Sequence, residues 1–521
     1  MTAKARRLSG LLGVVVVLCS LAPVVTAGTD AGRTAPAVSY LGPTGKLAGP
    51  VTLRAQSSSK GTRIVAVTFF LDGRPLGSDT TEPYALDIDA GLLPAGRHRV
   101  RVEAVDQLAR RFRTPPIEVT MGTRTGRMLT ASPRRGLSRA LSALRRGDVT
   151  VRLRDGRYEL SEIHLGAGAR LVGSGAETVL ALPSGESYDY GLLVRGDVVR
   201  ISDLTIDGGG PGDGEGAAVG VSDGSSDVRL QRLRILRVRQ RGVAVWGAHA
   251  DVSVQDSRIE GNGTALVGVS ARGSDESRDS SVIRTRVRGF RDFGIIFSQR
   301  EYDRPSAALH GLALDNVVTD IKDPERDGCV DEPRDTSGCG TNEGGIWTGG
   351  VEAAIIGNTT RRTRWDGIQT VGSSTRTAIV ANDVRGARTG IYIERSTNYS
   401  LISRNRIADV QKGINVEWAH DGGRSTRNTF SRNRVDAPRE VGLFVDVEAD
   451  ANRIVGNVFS GGARPAIVLQ GTSDNVLREN RACGVAGPLV REQTARRDDG
   501  EEARPQGNRL VGNVNSRRPC R

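Results

Sequence analysis

Between residues 345 and 480 the chain repeats itself in two independent ways. Gly345, Gly367, Gly390, Gly413 and Gly442, with Ala466 in the next place, are spaced by 22, 23, 23, 29 and 24 residues. Asn358, Asn382, Asn405, Asn433, Asn457 and Asn480 are spaced by 24, 23, 28, 24 and 23. Each series has one long step, and the two long steps coincide. Marks that drift together in this way define a solenoid, in which each repeat packs only on its neighbours. A period of about 23 residues with no helical pattern inside it suits a coil of two or three short strands. The asparagines read as structural, since Asn tolerates the left-handed backbone that a turn needs and can stack on the Asn above and below. Upstream coils such as "AAVGVSDGSSDVRLQRLRIL" and "GVAVWGAHADVSVQDSRI" follow less regularly.

The repeat is preceded by "SPRRGLSRALSALRRGD", where Leu137, Ala140, Leu141 and Leu144 recur at helical spacing and Gly147 closes the segment. Glycine-punctuated alternating strands follow. This opening resembles the N-terminal cap of the pectate-lyase-like family of right-handed parallel β-helices. The resemblance implies an all-β chain, with residues 122–521 forming a right-handed parallel β-helix behind a capping helix, and a polysaccharide as the partner. It does not carry a reaction. The family includes lyases, polygalacturonase-like hydrolases and uronan epimerases, and none of their signatures (N-T-D, G-H-G, R-I-K, W-I-D-H, D-P-H-D) stands in this sequence.

Residues 38–121 have a different pattern, with period-2 alternation in "RIVAVTFFLDG" and "HRVRVEAVDQ" and an Asp72-Gly73 hairpin signal. "TTEPYALDIDAGLLPAGRHRVRVEAVD" resembles the bacterial Ig-like modules of exported proteins, which implies a small β-sandwich. Ahead of it, "MTAKARR", the apolar "LLGVVVVLCSLAPVV" and "VTA" read as a signal peptide over residues 1–27, and residues 28–37 as a linker. A secreted protein is expected, with no membrane insertion. A monomer is expected.

The net charge of +13 raises the question of nucleic acid. Only five of the 73 basic residues are Lys, the Arg excess is spread along the chain, and aromatics make up 4% of residues. That is too few for a stacking platform, so nucleic acid is not the expected partner.

Three segments, "GIYIERSTN", "GINVEWAHD" and "GLFVDVEAD", place an acid four residues after the repeat glycine: Glu394, Glu417 and Asp446. Alternate strand residues face opposite sides, so these acids should line up on the outside of the coils, about 4.8 Å apart. A second outward column reads Trp347, Gln369, Tyr392, Asn415, Phe444, and Trp365, Asp366 and Trp418 flank it. Like charges stacked on a sheet are unfavourable and should raise at least one carboxyl pKa. The acids are the candidate catalytic residues, and the aromatic and amide positions the candidate sugar contacts. Paired carboxylates suit glycoside hydrolysis, at about 5–5.5 Å for retention or about 6.5–9.5 Å for inversion. Two alternatives use the same face. One is a calcium-dependent lyase acting on a uronate polymer, with Arg395, Arg364 or Arg300 as the base. The other is a non-catalytic, glycan-binding or adhesive β-helix.

The long acidic insertion "DIKDPERDGCVDEPRDTSGCGTNE" starts like an EF-type loop, with Asp323, Glu325, Asp327 and Asp331 as ligands for a candidate Ca²⁺ cofactor. Arg334 stands where the bidentate Glu belongs. Export leaves four cysteines, Cys329, Cys339, Cys483 and Cys520, and pairing within each sequence-adjacent couple is the simplest of three connectivities.

Overall fold

The computed structural model describes residues 37–58, 62–122, 128–183, 189–210, 216–274, 277–299, 310–321, 344–394, 396–417, 424–462, 465–497, 500–516 and 518. From Met128 onward the chain winds through three parallel sheets of 15, 14 and 13 strands, each coil adding one strand to each sheet. Consecutive coils match residue for residue. Ile379 faces Ile402 in the first sheet, Val384 faces Ile407 in the second, and Ile391 faces Ile414 in the third. The apolar residues of all three sheets turn inward and form one continuous core, in which Ile368, Ile391, Ile414, Leu443 and Ile467 are at most 1% exposed. The helix Leu137–Arg146 covers the first coil. Ala140 and Leu144 belong to that core, and Gly147, at φ 85°, ends the helix by donating its N–H to Ala143 O at 3.1 Å.

The asparagines form an amide ladder inside the turn between the first and second sheets. Asn358, Asn382, Asn405, Asn433, Asn457 and Asn480 each donate Nδ2–H to Oδ1 of the Asn one coil further on, at 2.9–3.0 Å. Each also donates to a backbone carbonyl of the preceding coil. A second ladder runs through Asn428, Asn452, Asn475 and Asn508. The stacking is as expected, but the left-handed residue is the one before each Asn. Ala381, Arg404, Arg432 and Glu479 all have φ between 54° and 57°. The side chain that closes the turn and the backbone that makes it belong to adjacent residues.

The glycine column has a steric cause. A Cβ on Gly390 would lie 2.5 Å from Gly413 O, and one on Gly367 would lie 2.7 Å from Gly390 O. Those same Cβ atoms would run into Ile407 and Val384 of the second sheet. The glycine therefore faces inward although the apolar residue directly after it does too, so strand alternation breaks there. The residue before each glycine then faces outward.

Residues 37–121 form a sandwich of two sheets around Leu53, Val67, Phe69, Val100 and Val102, with a tight turn at Asp72 (φ 50°) and Gly73 (φ 80°). This sandwich packs on the outer side of the first sheet of the β-helix, where Val65, Ala66 and Val105 meet Ile283, Leu312, Leu314, Ile356, Ala378 and Val380. Gln255 of the β-helix accepts from Ser78 N at 2.8 Å and donates to Ser78 O at 3.0 Å, like one more strand pairing. Arg111 bridges Glu103 of the sandwich and Asp315 of the β-helix. The third sheet lies on another wall and is left to the site.

Candidate functional site

Three outward columns run up the third sheet. Trp347, Gln369, Tyr392, Asn415, Phe444 and Val468 face one another in that order. Glu394 faces Glu417 directly. Asp446 follows the strand Val441–Val445 and continues that line, its N–H donating to Val416 O at 2.9 Å. The third column consists of the residues released by the broken alternation: Asp366, Thr389, Lys412 and Val441. Asp366 therefore joins the acidic face directly. Thr389 and Lys412 belong to it too, although the sequence had not singled them out. The available signal was polar residues placed immediately before three successive repeat glycines.

The outward face is largely covered. Gln369 is 0% exposed, Trp347 8% and Glu417 9%. Tyr392, Glu394, Phe444 and Asp446 are half-buried. Trp347 packs with Val267, Ile296 and Val371 in an apolar cluster below the acids, rather than standing out as a sugar platform. Gln369 Nε2 and Oε1 and Asn415 Oδ1 are buried with no hydrogen-bond partner. Leaving such groups unpaired costs about 1–3 kcal/mol each.

Around the acids the polar contacts are close. Tyr392 Oη donates to Glu417 Oε2 at 2.5 Å, and Asn415 Nδ2 donates to the same oxygen at 3.3 Å. The Tyr392 phenol is pushed far above its ordinary value, by burial first and then by the Glu417 and Glu394 charges. Burial also raises the Asp446 carboxyl. The Glu417 charge adds to this, and the Val447 N–H, Gln470 and Lys412 oppose it. The Val447 and Gln470 contacts to Asp446 Oδ1 are 2.8 and 3.1 Å. Asp366 is raised well above the carboxylate range by burial, against a hydrogen bond from Thr389, with Glu394 and Glu417 pushing further up. Lys412 Nζ sits 5.0 Å from the Phe444 ring centroid, and Arg388 lies over the Trp365 ring at 4.5 Å. One wall thus carries two carboxyls raised by burial, Asp366 and Asp446, next to Glu417, whose Oε2 accepts from two donors. That combination supports general acid–base chemistry.

Trp418, Arg395, Arg300, the four proposed calcium ligands Asp323, Glu325, Asp327 and Asp331, and Cys329, Cys339 and Cys520 lie outside the described residues. Arg364 is described and lies on the corner between the second and third sheets. Cys483 is disulfide-bonded.

A family model for a bacterial Ig domain matches residues 36–102, and one described as periplasmic copper-binding protein (NosD) matches residues 338–513. The chain is a right-handed parallel β-helix with a bacterial Ig-like domain at its N-terminal end. The chain is similar to a GH87 α-1,3-glucanase catalytic domain (13% identity, 91% of this chain and 92% of that one, TM-score 0.41). It is similar to a Yersinia enterocolitica family 28 exopolygalacturonase (11%, 92% and 99%, 0.39). It is also similar to the A-module of an Azotobacter vinelandii mannuronan C-5 epimerase (13%, 70% and 90%, 0.40). No curated protein matches the chain.

Copper does not fit the residues of the matched segment, 338–513. Copper favours imidazole and soft sulfur ligands, yet residues 338–513 hold one histidine, no methionine and two cysteines. Cys483 is already in a disulfide. Among the described residues no group of three or more His, Cys, Asp or Glu is placed to hold a metal ion. No helix among them is long and apolar enough to cross a membrane.

Proposed function

We propose that the protein is an exported glycoside hydrolase that cleaves a polysaccharide on the outer face of the third sheet. The observation that carries this reading is the Glu417–Asp446 neighbour pair. Burial and the Glu417 charge raise the Asp446 carboxyl, while two donors hold Glu417. Asp446 then serves as the general acid that protonates the departing glycosidic oxygen, and Glu417 acts as the carboxylate facing the anomeric carbon. Adjacent rungs, about 4.8 Å apart, are close to the separation of retaining enzymes. Pairing of Glu394 with Asp446 across two rungs would instead favour inversion. Glu394 adds negative potential that Asp366 and Tyr392 feel, and Lys412 counters the negative charge at Asp446.

The test is reducing-end release from a panel of glycans, with the anomeric configuration of the product followed by NMR. Asp446→Asn and Glu417→Gln are each expected to lower kcat by about 10²–10⁴ while the melting temperature stays near that of the parent. Full activity in both variants would remove this reading. A product with ultraviolet absorbance from a new double bond would replace hydrolysis with elimination.

A further inference from the structure

On the corner between the second and third sheets lies a cleft of about 370 Å³, lined by Arg362, Arg364, Trp365, Arg388, Gln411 and Arg439. We propose that it is a subsite for an anionic substituent, a carboxylate or a sulfate ester, of the glycan held on the acidic face. The proposal rests on the polysaccharide reading and names the substrate class as a charged polymer.

The lining residues come from four successive coils, so the cleft runs along the solenoid axis for about 14 Å, three strand spacings. Four guanidiniums face one lining carboxylate, Asp409. Arg362 is already engaged by Asp320 in a two-point contact at 2.6 and 2.8 Å. Arg388 and Arg439 are exposed and pair with no carboxylate among the described residues. Arg388 lies over the Trp365 ring, its Cζ 4.5 Å from the ring centroid. The planar fork of a guanidinium matches the two oxygens of a carboxylate or a sulfate.

The cleft adjoins the acids. Trp365 and Arg388 directly precede Asp366 and Thr389 of the outward column, and the Arg388 charge is felt at the Asp366 carboxyl. A row of carboxyls repels an anionic group, and a row of arginines one corner away attracts it. Side by side, the two rows orient a polymer that carries its charges along one edge, with the neutral glycosidic bonds over the acids and the charged groups turned over the corner.

The test uses the full chain and four probes: inorganic sulfate, a sulfated tetrasaccharide, a tetragalacturonate and an uncharged tetraglucan. Binding is read by calorimetry and by tryptophan fluorescence, with Trp365→Phe identifying the signal from the cleft. At least one charged tetrasaccharide is expected to bind roughly tenfold or more tighter than the uncharged one, as charge-assisted hydrogen bonds would give. Which of the two wins separates sulfate ester from carboxylate. Arg388→Gln and Arg439→Gln, both exposed positions, are expected to abolish that preference and to leave uncharged binding unchanged. Equal affinity for charged and uncharged tetrasaccharides would overturn the proposal and leave the hydrolase reading standing. So would a preference that survives in the double variant. Sulfate quenching of Trp365 with no tetrasaccharide bound would overturn the polysaccharide reading and, with it, the glycan source of the anion.

Discussion

Asp366 shows how one side chain couples function to stability. Its carboxyl is raised in the folded chain by burial, so the fold binds this proton more tightly than the unfolded chain does. The destabilising burial of charge is absent below the unfolded value of 3.8 and is imposed in full above the folded value, so stability from this group is lost as pH rises through that value. Asp366→Asn is expected to raise the melting temperature at neutral pH and to change nothing at pH values below 3.8. Calorimetry across pH reads both. The left-handed residues offer a second prediction at this scale. Arg404 (φ 56°) and Glu479 (φ 55°) hold a backbone that disfavours a side chain. Arg404→Gly or Glu479→Gly is expected to be neutral to stabilising by up to about 1 kcal/mol, measured by urea unfolding. Both sites lie before an Asn. The sequence showed which residue stacks but not which one bends, because stacking leaves a mark in residue identity and a left-handed φ, tolerated here by Ala, Arg and Glu, does not.

At the scale of the element, the coil is held by its glycine and its asparagine. Asn405 Nδ2 donates to Ile379 O and to Asn433 Oδ1, and its Oδ1 accepts from Asn382 N and Nδ2. Asn405→Ala strands several buried groups at once and is expected to cost about 3–5 kcal/mol. Asn405→Asp keeps the shape and removes the donor, and should be comparably harmful. Gly390→Ala drives a methyl into Gly413 O and Ile407, with an expected cost of about 1–3 kcal/mol. Denaturant midpoints check all three. The spacing of these residues was enough to read the coil, the number of residues in it and the alignment of Glu394 with Glu417. What it hid was the fault in alternation at the glycine, which is a matter of backbone clearance between coils. Without that fault Asp366, Thr389 and Lys412 seem to belong to the interior by parity. Burial of Gln369 and Trp347 was hidden for a related reason, since outwardness on a strand does not say what stands in front of it.

For the molecule as a whole, the seam between sandwich and β-helix is expected to govern how the chain unfolds. Its apolar part, with Val65 and Val105 against Leu312 and Val380, sits beside the strand-like pairing of Gln255 with Ser78. Burial of this kind couples the two folds, so one calorimetric transition is expected for the intact chain. Gln255→Ala leaves the Ser78 N–H and C=O without that partner, at about 1–3 kcal/mol, and is expected to lower the stability of the sandwich first, splitting the transition in two. A single unshifted transition in the variant would mean that the seam carries no coupling. None of this seam was legible in the sequence, since the contacting residues lie more than 170 positions apart and each is unremarkable in its own strand.

The amide ladder has a direction: each Asn gives its backbone N–H and one Nδ2 hydrogen to the Asn of the next coil, and its Oδ1 accepts from the Asn of the one before. Bond dipoles therefore add along the axis, and any rung spliced in with the same sense finds a donor waiting below and an acceptor above. A partial rung finds neither. The molecule can lengthen or shorten only by complete turns, and its outer wall is in effect a ruler graduated at about 4.8 Å, against which a polymer lying lengthwise would be measured in whole divisions.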